Sequence, residues 1–331
     1  MKIDYDTDPR LWQLNEWLMA VLPHGEFSLE VASSDASFRR YFRVWQDDKT
    51  LIVMDAPPQH EASEPFVTIA EFMARFDIHV PRIFAKNLEQ GFLLLSDLGN
   101  TSYLSQLNAA SADQLYRAAI DEIIKMQCVP LSGIDLPLYN AQRLQQEMDL
   151  FPEWFLGRHL ALTIPDCLAT VFELLLENAK AQPHYFVHRD YHSRNLMLDQ
   201  NNGVGVIDFQ DAVIGPVSYD LVSLLRDCYI DWPPSRLDNW LDYYLQQAQH
   251  QGLLTAVNRE QFKRWFDLMG LQRHLKVLGI FCRLNYRDGK AGYMQDLPLT
   301  LRYVLRVTQQ YPELAEFHRY LTDNQDIMAI Q

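Results

Sequence analysis

Apolar residues recur along the first hundred positions with two different periods. In "DPRLWQLNEWLMAVL", Leu11, Leu14, Leu18, Val21 and Leu22 fall on one helical face, behind an Asp8 that can cap and a Pro9 suited to a first turn. The runs "FSLEVA" and "RRYFRVW", joined by "SSDASF", read as strands. "TLIVMDA" reads as a third after the polar turn "QDDK". "SEPFVTIAEFMARF" puts Phe66, Ile69, Ala70 and Met73 on the buried face of a helix, and "PRIFAKN" and "GFLLLSD" read as two more strands. After "LGN" the periodicity becomes helical, with helices expected over 111–128, 140–150 and 165–181. "YFVH" and a polar loop follow, then a hairpin made of "NLMLD", the turn "QNNG" and "VGVID". From Ser218 on the pattern is mostly helical. Strands and helices are segregated, which argues against a doubly wound parallel sheet and predicts an α+β protein. Its lobes are expected over 1–97, small and β-rich, and over 98–331, large and mostly helical.

Composition narrows the function classes. The net charge of −14 argues against a nucleic-acid partner, because phosphate backbones demand a basic surface. No apolar run approaches the ~18 residues of a membrane span, and "MKIDYDTDPR" has no signal-peptide core. Cys128, Cys167, Cys228 and Cys282 are far apart and form no C-x-x-C pair, so they are expected as buried or partly buried thiols in a reducing cytoplasm. Nothing in the pattern indicates an obligate protein partner.

The chemistry concentrates in "HRDYHSRN", residues 188–195. Asp190 is followed five residues later by Asn195, and Asp208 closes the predicted hairpin in "DFQ". Protein kinases carry this spacing as H-R-D-x-x-x-x-N and a later D-F-G. Phosphoryl transfer needs an oriented hydroxyl, neutralised phosphate charge and a dry site. Asp190 is the candidate that accepts a hydrogen bond from the attacking hydroxyl. Asn195 and Asp208 are the candidate oxygen ligands for Mg²⁺, which takes a few hard oxygens and completes its shell from phosphate and water. The competing reading is a polar turn in which Asp190 caps backbone amides. Loop, Asn, hairpin and Asp in this order weigh against it.

These residues resemble the protein-kinase-like phosphotransferases of small molecules, the aminoglycoside phosphotransferase and choline kinase group. His192 stands where protein kinases acting on Ser or Thr have Lys, "DFQ" lacks the glycine of D-F-G, and "GPVSYDL" replaces A-P-E. The resemblance implies ATP as phosphate donor and a structural Asp220 beneath the catalytic loop. His188 is expected to brace the loop from behind. "SDASFRRYFRV", "VMDAPP", "GFLLLSDLG" and "LGIFCRLNYRDGKAGY" are similar to the bacterial anomeric N-acetylmuramate/N-acetylglucosamine kinases of cell-wall recycling. That implies phosphorylation of a sugar C1 hydroxyl. An aminoglycoside or other amino-alcohol kinase is the alternative within the class, and a nucleotide-binding pseudokinase the alternative outside it.

The nucleotide side departs from the pattern. "VASSDASFRRYF" has no glycine, so Ser33, Ser34, Ala36 and Ser37 are the candidate phosphate contacts. "LIVMDAPP" has no lysine, and Glu71, its expected partner position, lies off the apolar stripe of its helix. Arg40 or Arg43 is the candidate replacement cation. Ser96, Asp97 and Leu98 are candidates to meet an adenine edge with their backbone. On the acceptor side Glu147, Asp211 and Arg283 are the chosen candidates, an arginine being the natural partner of a lactyl carboxylate. Arg194 is either solvated or a second partner for that carboxylate.

Overall fold

The computed structural model describes residues 8–22, 26–34, 38–199 and 203–330; for Ser33 and Ser34 it describes the backbone alone. The chain divides into two compact units, Met1–Thr101 with Met197–Asp211, and Ser102–Leu196 with Ala212–Gln331.

The first unit opens with α1 (Pro9–Val21). The Asp8 side chain accepts from the amides of Arg10 at 3.0 Å and Leu11 at 3.3 Å, and Pro9 occupies the first turn. Strands β1 (Ser28–Ser34), β2 (Arg40–Gln46) and β3 (Lys49–Asp55) precede α2 (Glu64–Ala74), and β4 (Ile83–Asn87) and β5 (Phe92–Ser96) follow it. The antiparallel sheet runs in the order β1-β2-β3-β5-β4. Leu11, Leu14, Leu18 and Leu22 pack against Phe42, Val44, Val53, Phe92 and Leu94 of one sheet face. The turn between β2 and β3 places Asp47 at φ +51°, a region that Asp tolerates better than most side chains.

The second unit is mostly helical. It contains α3 (Tyr103–Gln106), α4 (Ala112–Gln127), α5 (Ala141–Met148), a π-helix (Phe151–His159), α6 (Leu168–Lys180) and β6 (His184–Val187). After the loop, β7 (Leu196–Leu198) and β8 (Val204–Val206) pair as a hairpin. This hairpin belongs to the first unit, where amides of Leu198 and Val206 donate to the carbonyls of Thr101 and His79, each at 2.8 Å. Then come β9 (Val213–Pro216), α7 (Tyr219–Leu225), α8 (Pro234–His250), α9 (Arg259–Tyr286), α10 (Leu297–Gln310), α11 (Ala315–Asp323) and α12 (Gln325–Met328). The 28-residue α9 is the spine, buried on nearly every side between Phe262 and Cys282. Gly279 lets it cross the chain at Leu150, where an added Cβ would meet the Leu150 carbonyl at 2.3 Å.

Four details differ from expectation. Strand β9 was not among the expected elements, yet it pairs antiparallel with β6. The strand in "VGVID" stops at Val206, because Asp208 adopts φ +66° and cannot continue an extended chain. The segment 151–159 winds as a π-helix, a form without a sequence period of its own. Cys128 is exposed, not buried, since it sits just past the end of α4. Among the described residues no helix is long and apolar enough to cross a membrane.

Candidate active site

The loop "HRDYHSRN" leaves β6 and is held from behind by α7. Asp220, fully buried, accepts the His188 amide at 2.7 Å and the Arg189 amide at 3.0 Å. Burial pushes the Asp220 carboxyl up to about 7, against the pull of these two amides. Arg189 adopts φ +77°, uncommon for a residue with a Cβ. Its surroundings enforce that conformation: Asp220 takes its amide, Arg273 donates to its carbonyl at 2.8 Å, and its guanidinium donates to Glu147 at 2.5 Å. Asp190 follows directly, with its side chain 38% exposed. The buried His188 ring accepts the Asp190 amide at 3.2 Å through Nδ1 and meets Tyr191 edge-on. Asn195 donates its side-chain amide to the Asp190 carbonyl at 3.0 Å, closing the loop on itself. Ser193 is anchored on Asp227 by its amide at 2.9 Å and by its hydroxyl.

Behind the loop, three carboxylates (Glu147, Asp190, Asp220) face three cations (Arg189, Arg273, Lys276). Burial alone would raise the Asp190 carboxyl, but Lys276 and Arg273 outweigh it and hold the group well below the usual range. Arg273 approaches Asp190 to 3.7 Å and also donates to the Tyr219 hydroxyl at 3.3 Å. Glu147 was expected on the acceptor side. Its carboxylate is instead engaged by Tyr139, by Arg189 and by Lys276 at 3.1 Å. It supports the loop from within. Arg283 lies two turns beyond Lys276 on α9, partly buried, with a buried Nε that has no partner among the described residues. Arg158 lies over the Tyr286 ring, and Arg287 pairs with Asp288 at 2.7 Å on the surface.

The first unit holds the other candidates. Asp208 sits beyond β8 and accepts Gln210 Nε2 at 2.7 Å; Asp211 is exposed. Phe209 is buried against Phe66 of α2, ring centroids 4.8 Å apart. The place of the expected β3 lysine is taken by Asp55, fully buried, which receives Arg10 at 2.7 Å and Arg40 at 2.9 Å. Arg40 also pairs with Asp8 and stays 36% exposed. Arg43 was expected as an alternative phosphate cation. Its buried guanidinium instead donates to Asp97 at 2.6 Å and to the Gly99 carbonyl at 3.3 Å. Asp97 in turn accepts the Gly99 amide at 2.8 Å, and Gly99 needs its φ of +87° for that turn. Ser96 Oγ accepts the Arg82 amide at 2.8 Å, and Leu98 packs on Gly205. Glu71 pairs with Lys86 on the surface at 2.8 Å. Ala36 and Ser37 lie outside the described residues.

Of the two residues expected to meet Mg²⁺, Asn195 in the second unit carries a carboxamide oxygen and Asp208 in the first carries a carboxylate, both hard donors of the kind that cation takes. Among the described residues no group of three or more His, Cys, Asp and Glu could cage a metal.

Sequence reasoning left Arg189, Arg273, Lys276, Tyr139 and Asp227 without a role. The signal was present in "LMGLQRHLKVLGIF": an Arg and a Lys inside an apolar run are charges bound for burial, where they need partners.

Comparison with known proteins follows the same lines. Residues 28–256 match the model of the phosphotransferase enzyme family. A protein of Pseudomonas putida named N-acetylmuramate/N-acetylglucosamine kinase is 47% identical, covering 97% of this chain and 98% of its own. A protein of the same name from Neisseria meningitidis is 40% identical, over 94% of this chain and 95% of its own. Among solved structures, a choline kinase from Streptococcus pneumoniae superposes with a TM-score of 0.65 at 13% identity, covering 93% of this chain and all of its own. An ADP-bound aminoglycoside phosphotransferase gives 0.58 at 16%, over 90% of this chain and 97% of its own. The fold is protein-kinase-like, and the chain belongs to the phosphotransferase enzyme family.

Proposed function

We propose that the protein is an ATP- and Mg²⁺-dependent cytoplasmic sugar kinase that phosphorylates the anomeric C1 hydroxyl of N-acetylmuramate and N-acetylglucosamine. The observation that carries the sugar assignment is the near-full-length likeness to relatives bearing that name. The observation behind the chemistry is Asp190, kept ionised by Lys276 and Arg273 on a loop fixed by Asp220.

Asp190 accepts a hydrogen bond from the C1 hydroxyl and aims its oxygen at the γ-phosphorus. As the new O–P bond forms and the bond to the departing ADP breaks, the proton passes to the Asp190 carboxylate. A hemiacetal hydroxyl is more acidic than an ordinary alcohol, so a carboxylate of low basicity suffices. Asn195 and Asp208 would hold Mg²⁺, which when bound neutralises charge on the β- and γ-phosphates. Arg40, the partly exposed middle member of the Asp8–Arg40–Asp55 chain, is the candidate for phosphate charge. The backbone of Ser96, Asp97 and Leu98 is the candidate for adenine. Arg283 is the candidate for the acceptor.

Incubating the protein with ATP, Mg²⁺ and a panel of amino sugars, aminoglycosides and choline tests this reading by phosphorus NMR. An anomeric phosphate on the two N-acetyl sugars supports it. Phosphate on an antibiotic hydroxyl, or no turnover with ATP binding retained, overturns it.

A further inference from the structure

Beyond the catalytic aspartate, the second unit carries a group of side chains that the mechanism above does not use. Arg194 lies flat on Tyr229, its guanidinium carbon 3.5 Å from the ring centroid. At that distance the cation is pinned by the ring face and keeps its in-plane N–H donors for another group. Arg194 is exposed and makes no ion pair among the described residues. His192 meets the same Tyr229 ring edge-on at 5.5 Å, and its buried Nδ1 has no hydrogen-bond partner among the described residues.

Asp296 completes the group. It stands at the N-cap of α10, just before Leu297, where an aspartate ordinarily caps the helix, yet its side chain makes no capping bond. Its Oδ2 is buried with no hydrogen-bond partner among the described residues. Burial pushes this carboxyl up, and Arg194 is the group that pulls it back down. Thr300 places Asp296 near this pair: it donates to the Asp296 carbonyl at 2.9 Å and hydrogen-bonds Cys228, the chain neighbour of Tyr229. A buried acceptor left unpaired is costly, so a ligand donor that reaches it is favoured.

We infer that Arg194 and Asp296 form an acceptor subsite on the Asp190 loop, joined to it through the His192–Tyr229 contact, in which Arg194 takes a carboxylate of the sugar and Asp296 takes a hydroxyl or amide N–H. The inference rests on the sugar-kinase reading and deepens it. A stacked guanidinium binds a carboxylate in its own plane, so this residue separates an acid-bearing amino sugar from a neutral one. Tyr229 is a positioning residue that acts through Arg194.

The test is the ratio of kcat/KM for N-acetylmuramate to that for N-acetylglucosamine. Arg194→Gln lowers this ratio about tenfold, mainly through KM for the muramate, as expected for loss of one charge-assisted pair. Tyr229→Leu lowers it by a smaller factor, and Tyr229→Phe, which keeps the ring, restores it. Asp296→Asn raises KM for both sugars and leaves the ratio near its starting value. A ratio unmoved by Arg194→Gln overturns the inference. So does a ratio that falls only with Arg283→Gln, which returns the carboxylate to α9. Turnover of neither sugar by the unmodified protein overturns the sugar-kinase reading itself, a different result from an unmoved ratio.

Discussion

The loop at 188–195 and the strands at 28–55 both fix charges in place, and they do so by different means. The loop's charges are supported by residues far along the chain, with Asp220, Arg273, Lys276 and Glu147 converging from α5, α7 and α9. The strands pair their charges close at hand. Arg40 stands opposite Asp55 in the β2–β3 register, and Arg10 reaches the same carboxylate from α1. The difference fits what each would do in the proposed reaction. A proton-accepting carboxylate has to sit at one point with one orientation, so its neighbours come at fixed spacing. Phosphate charge can be met by backbone amides and a cation from several positions, so no single spacing is demanded.

Asp190→Asn attacks the loop at its centre. The amide keeps the shape but cannot accept a proton. We expect kcat to fall about 10³-fold, the usual scale for a general base, with KM for ATP little changed. Retention of most of kcat in steady-state assays would remove the loop from the chemistry. Next in size is Glu147→Ala, which strands Arg189 and Lys276 without their carboxylate. Breaking a buried charge cluster from one side costs about 3–5 kcal/mol, read as a lower urea midpoint. A stable Glu147→Ala protein would mean that the loop does not depend on the charges behind it.

This contrast also explains what could be read from the sequence. Asp190, Asn195 and Asp208 stood out because their spacing is the one kinases carry. The five-stranded sheet and α1 were legible from alternation and from a helical stripe, since each has one buried face. Helix α9 gave little because it is buried almost all round, so no stripe distinguishes the face bearing Arg273 and Lys276. Glu147 looked like a surface carboxylate because its two cationic partners lie 42 and 129 positions away, outside any local window. Strand β9 exists through its pairing with β6, a tertiary cause that "VIGP" does not announce.

The two strand arginines give a sharper cut. Arg43→Ala removes a buried charge-assisted bond to Asp97, with an expected loss of about 2 kcal/mol in stability and no specific effect on ATP. Arg40→Ala removes the exposed cation, with an expected rise in KM for ATP at unchanged kcat for saturating ATP. If both variants kept the wild-type KM for ATP, the strand region would supply no phosphate charge, and the contrast with the loop would become one of function and not only of means.

The smallest effect separates the two regions by pH. His274 lies beside Arg273 on α9, stacked on Tyr303, with Nε2 on the Arg226 carbonyl at 2.9 Å. Burial holds its imidazole down to about 3 against an ordinary 6.5. Below pH 6.5 the unfolded chain therefore takes up a proton that the folded protein refuses, and stability falls as pH falls. Asp220, raised to about 7 from 3.8, works in the opposite sense: the folded state keeps its proton over that range, and stability falls as pH rises through it. In the strand region Asp8 and Asp97 are held below 3.8, so their contribution is complete above that value and is lost only on stronger acidification. Between pH 6.5 and 5.5 the strand carboxylates are thus silent, and a His274→Gln variant isolates the support behind the loop. Gln can still donate to the Arg226 carbonyl and does not titrate. We expect acidification over that unit to cost the wild type about 1 kcal/mol more than the variant in urea titrations. Equal losses in both proteins would mean that His274 is protonated in the folded state, and that α9 is less tightly closed behind the loop than its packing against Tyr303 implies.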